Sequence, residues 1–108
     1  MAYDEELADR IRLLAAADGT AVSEQRLFGG LAFLVGGNMA IAASGQGGVL
    51  VRVDPADSDE LVRSTSATVA VMRGREMAGW LRVDVSSDDE LAEWVDRGVA
   101  YARTLPPK

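Results

Sequence analysis

The sequence predicts an α+β domain: an antiparallel β-sheet of about five to six strands flanked by helices, in the order α-β-β-β-β-α-β-β-α. Three observations point to it. The run from Arg26 to Arg52 carries no charge between its two arginines, yet Gly29-Gly30, Gly36-Gly37 and Gly45-Gln46-Gly47-Gly48 cut it into apolar pieces of strand length. Amphipathic helical patterns stand near both ends of the chain, and two further strand-like segments lie between the run and the last helix. A charge-free run must also be weighed as a membrane span, for which about 20 apolar residues suffice. The glycine clusters supply turn chemistry at strand spacing and decide for a β-meander.

Taken in order, Tyr3 to Ala17 reads as a helix, because Leu7, Ile11 and Leu14 recur at i, i+4 and i+7. Asp4, Glu5 and Glu6 sit where the helix dipole favours negative charge, and Gly19 is placed to end the helix. Ala21 to Phe28 reads as a strand with one face incompletely covered. Leu31 to Val35, Asn38 to Ala43 and Val49 to Val53 form the meander. Asp54-Pro55 marks a boundary before a helix of about two to three turns, with Asp54 or Ser58 as N-cap. Ala67 to Met72 and Gly79 to Val85 read as a hairpin turning at Arg73-Gly74-Arg75. Ser87 and Glu90 fit a capping box for the last helix. Leu91, Trp94, Val95, Gly98, Tyr101, Ala102 and Leu105 trace its apolar stripe, and Pro106-Pro107 stops it.

With 108 residues the chain has room for one domain and one core, so residues 1–108 are read as a single unit. It has neither cysteine nor histidine, which removes thiol nucleophiles, imidazole acid-base chemistry and zinc sites built from those ligands. The acidic opening after Met1 lacks the basic and apolar segments of a secretory signal, and the expected location is the cytoplasm. A net charge of −6 argues against duplex DNA as a partner, since phosphate neutralisation supplies most of such affinity.

Arg26 to Phe33, the Gly37-Asn38-Met39 turn, Gly74 to Trp80, and the ending from Trp94 to Lys108 stand in that order along the chain. Together these four segments resemble the TfoX N-terminal domain family. The resemblance implies a small bacterial cytosolic domain whose fold is similar to that of type III secretion chaperones. Longer members of the family are regulators of natural competence, with a second, C-terminal domain proposed to contact nucleic acid. This chain stops at Lys108, so the resemblance implies a stand-alone N-terminal domain. Glu76 stands where the family often has proline, and Ala42 and Ala43 stand near a position that is often cysteine or glycine.

The acidic clusters, Asp4-Glu5-Glu6, Asp57-Asp59-Glu60 and Asp88-Asp89-Glu90, each fall at a predicted helix start and lack the spaced ligands of a calcium loop; no metal site is expected. Gly45-Gln46-Gly47-Gly48 precedes a strand rather than a helix, so it reads as a turn and not as a phosphate loop. Trp94 and Tyr101 read as helix-docking residues. The candidate ligand or partner face is Arg26, Arg52 and Arg82 with Trp80 and Phe28. Each arginine sits between apolar neighbours on a strand, and the aromatics share parity with Arg82 and Arg26. Glu24 and Asp84 also share that parity, so the competing expectation is a ladder of cross-strand ion pairs. The expected function is non-enzymatic, through contacts with a protein partner in regulation, with a homodimer as the candidate assembly and no cofactor. The alternative is a binder of a small ligand, a nucleotide or single-stranded RNA. An enzyme ranks last, because Ser23 and Ser44 have no histidine or nearby lysine to activate them.

Overall fold

Asp4 opens the first helix. Its Oδ1 accepts the N–H of Glu6 at 3.0 Å and of Leu7 at 3.2 Å, so two otherwise unpaired donors are satisfied and α1 runs over Glu5–Ala17. The computed structural model describes residues 3–17, 19, 21–27 and 29–107 of the chain. Gly19 takes φ +73°, a left-handed conformation that ends the helix cheaply only for glycine.

Four strands follow: β1 (Ser23–Leu27), β2 (Gly30–Val35), β3 (Asn38–Ala43) and β4 (Val49–Arg52). After them come α2 (Pro55–Ser64), the hairpin strands β5 (Thr68–Met72) and β6 (Arg75–Val83), and α3 (Asp88–Thr104). The element order is the one expected. All strand pairings are antiparallel, and the six strands lie in the order β1-β2-β3-β4-β6-β5. Asp54 is the N-cap of α2, its Oδ1 accepting the Ala56 N–H at 2.9 Å, while Ser58 lies buried within the helix. Ser87 caps α3 through Glu90 N–H at 3.1 Å; Glu90 reaches back to the N–H of Ser86 rather than of Ser87.

The last strand differs from its expected extent. It begins at Arg75, not Gly79, because Arg73 (φ 52°) and Gly74 (φ 77°) make a two-residue turn whose left-handed backbone conformation matches the right-handed twist of the paired strands. The hairpin is irregular. Val69 and Val71, two apart on β5, face Leu81 and Glu76, five apart on β6. The extra residues bulge around Gly79, whose φ of +84° and close approach to the Val53 carbonyl and Pro55 exclude a larger side chain.

All three helices pack on one face of the sheet. The main core joins Leu7, Ile11, Leu91, Trp94, Val95 and Val99 of the helices to Phe33, Ile41, Val51, Leu81 and Val83 of the strands. A second cluster holds Ala32, Leu34, Met39, Ala42, Leu50 and Ala70, with Leu27 and Trp80 against it, and includes no helical residue. These side chains are buried on a face that no helix among the described residues covers, so the sheet itself must curl around them.

Among the described residues no helix is long and apolar enough to cross a membrane.

Candidate binding site on the helix-free face

Leu27 of β1 and Ala70 and Val71 of β5 line the same hollow, although β1 and β5 are opposite edges of the sheet. In a flat sheet, five strand spacings would hold these edges about 24 Å apart. Curling and the bulged β5–β6 hairpin bring them together. The hollow has a volume of about 260 Å³, and Met39, Ala42 and Leu50 complete its apolar wall. Its charged lining residues are Arg73, at the hairpin tip, and Arg82.

Register decides which of the expected site residues meet. Arg82 stands opposite Leu50, and Arg52 opposite Trp80, so all three polar-face residues share the helix-free side. Arg26 stands opposite Leu31, a member of the helix-side core, so it is placed on the other face. The structure thus brings together Arg52, Trp80 and Arg82 and separates Arg26 from them; Phe28 lies outside the described residues.

The ladder of cross-strand ion pairs is not what these side chains form. The Arg82 guanidinium donates to Gln46 Oε1 at 2.9 Å and to the Gly47 carbonyl at 3.3 Å, both on the β3–β4 turn. That turn is closed by the Ser44 N–H donating to the Gly48 carbonyl and by Ser44 Oγ accepting the Gln46 N–H, and it leads into a strand as expected. The Arg52 guanidinium lies 5.1 Å from the Trp80 ring centroid and 5.9 Å from that of Tyr101 on α3. One face of the Trp80 indole is therefore occupied by a cation from the same chain. Trp94 is buried in the helix-side core, with Arg97 over its ring at 4.7 Å, while Tyr101 is half-buried.

Glu24 finds its cation on a helix. Arg12 of α1 donates to the two Glu24 carboxylate oxygens at 2.6 and 2.8 Å, a bidentate fork, and also pairs with Asp9. The hydrogen bond from Arg12, and then its charge, hold the Glu24 carboxyl below the ordinary glutamate range, against an opposing effect of burial. A depressed native pKa means the pair contributes stability above the unfolded pKa and loses it as the pH falls through the native one. Both groups are solvent-exposed enough that about 0.2–1 kcal/mol is expected at neutral pH. Urea titrations of wild type and Glu24→Gln should therefore differ by that amount at pH 7 and converge as the pH falls through the acidic range. A difference independent of pH would show that the charge is not its source.

Sequence reasoning missed the hollow and Arg73. In the sequence Arg73 reads only as a turn residue, and no pattern in the chain marks a hairpin that folds across a sheet face. The positive φ of a non-glycine residue at the tip is likewise invisible to periodicity.

A curled, six-stranded antiparallel sheet with three helices on one face and an apolar hollow on the other defines a small α+β domain of a single sheet. The chain belongs to the TfoX N-terminal domain family, whose sequence model matches residues 12–102. No curated protein and no solved structure matches it.

Proposed function

We propose that this chain is a non-enzymatic regulatory domain of the bacterial cytoplasm that acts by contact with another protein chain. The observation that carries this is the edge strand β1. Among the described residues it pairs with β2 alone, it stands last in the sheet, and four of its five side chains are exposed. An edge strand offers backbone donors and acceptors to an incoming strand, and the exposed Ser23, Gln25 and Arg26 on it supply polar partners without the apolar surface that drives aggregation. Either a second copy or a different protein satisfies the same geometry.

A photo-crosslinking amino acid placed at Gln25 in living cells tests this. The expected result is a discrete adduct from Gln25 and none from the same probe at Glu93, an exposed position on α3. The adduct's mass then tells a second copy from another protein. No adduct at Gln25, or the same smear from both positions, would overturn the edge as the contact.

A further inference from the structure

The hollow on the helix-free face has three properties that together define an occupant. Its wall is built from Leu27, Met39, Ala42, Leu50, Ala70 and Val71. Its volume of about 260 Å³ lies below the roughly 300–1,000 Å³ of drug-sized sites. At roughly 30 Å³ per water-sized group, that is room for about nine non-hydrogen atoms. A short aliphatic chain fills such a volume.

Charge supplies the third property. The chain has 17 acidic and 11 basic residues, yet both charged residues that line the hollow, among those described, are arginines. Among the described residues no carboxylate lines it to neutralise them. Arg82 is also held in place: two of its guanidinium N–H groups are fixed on Gln46 and Gly47, so ordering costs it little on meeting an anion. The planar fork of a guanidinium matches the two oxygens of a carboxylate.

We propose that the hollow binds a small amphipathic anion, an unbranched aliphatic carboxylate of medium chain length, with its hydrocarbon against Met39, Leu50 and Ala70 and its carboxylate at Arg82. The β5–β6 hairpin, bent over the face at its bulge, closes one side of the chamber and brings Arg73 to it. This site adds a ligand to the protein-contact reading and does not depend on it, because binding is measured on the isolated chain.

Sodium octanoate, with ten non-hydrogen atoms in its anion, is the probe, and calorimetric titration together with methyl-detected NMR is the measurement. 1-Octanol and sodium acetate separate the contributions of tail and charge. Octanoate should saturate one site about tenfold or more tighter than either, since a charge-assisted hydrogen bond is added to the apolar contact. The shifted methyl signals should be those of Leu27, Met39, Leu50 and Val71. Arg82→Gln should bring octanoate affinity down to that of octanol while leaving octanol binding unchanged. Three results would each overturn the proposal: no saturable octanoate binding to the wild-type chain, acetate binding as tightly as octanoate, or octanoate shifts confined to the separate groove that Leu61 of α2 and Ala100 and Tyr101 of α3 line. The comparison of ligands on the wild type keeps the proposal open to refutation even if Arg82→Gln folds poorly.

Discussion

Gly98→Ala is expected to destabilise the protein by about 2 kcal/mol, although alanine is the better helix former by about 1 kcal/mol. Gly98 lies in the third turn of α3, where a Cβ would stand 2.4 Å from the carbonyl oxygen of Ala40 and 3.0 Å from its carbon. Both are backbone atoms, so no side chain can swing away. The close approach has a cause in the sheet. Phe33 faces Ile41 and Leu34 faces Met39, which leaves Ala40 as the extra residue of a bulge in β3, and α3 runs against that bulge. An ordinary carbon-to-oxygen contact needs about 3.3 Å, so the helix would have to lift by nearly 1 Å. Trp94, Val95, Val99 and Ala102 are all buried beneath the same helix, and each would lose contact as it moved. The control is Ala100→Gly on the exposed side of α3, which should cost about 1 kcal/mol by propensity alone. Chemical denaturation should then show two opposite substitutions, two positions apart, both lowering stability. A stabilised Gly98→Ala would mean that the helix does not rest on the Ala40 bulge.

The elements were legible because glycine and hydrophobic period speak about local backbone. Gly36 and Gly37 both take positive φ between β2 and β3, so the pair that marked a turn in the sequence is one. Leu7, Ile11 and Leu91 were expected on apolar stripes, and all three are buried. Where the reading fell short, the missing quantity was register. Parity within a strand placed Arg82 correctly beside Trp80, but relating Arg26 to them required knowing that Arg26 pairs with Leu31 and Arg82 with Leu50. Parity also nominated Asp84 and Glu24 as partners within the sheet. It has no means of anticipating that Arg12, on a helix one turn from its end, outcompetes strand neighbours for Glu24. The hollow is a step further from the sequence. It depends on a bulge in each of two strand pairings and on the curl they produce, none of which a count of apolar positions encodes.

Trp94→Ala should cost about 3–5 kcal/mol, the range for emptying a fully buried aromatic site. Trp94 is 2% exposed and heads the large side chains of the helix-side core, where it shares a cluster with Phe33, Ile41 and Val95. Against a typical total of about 5–15 kcal/mol, this loss leaves a chain that melts far lower or fails to fold at growth temperature. Trp80→Ala removes the same atoms from a half-buried place on the other face and is expected to cost only about 1–2 kcal/mol. Part of that smaller cost is the stacking of Arg52, 5.1 Å from the ring. The comparison weighs the two faces of the sheet. A large gap between the two variants in urea midpoint means that the helices on one face carry the fold and leave the other free to hold a hollow. Equal losses would mean that the Trp80 cluster is a second structural core, and that Arg52 belongs to its packing rather than to any site.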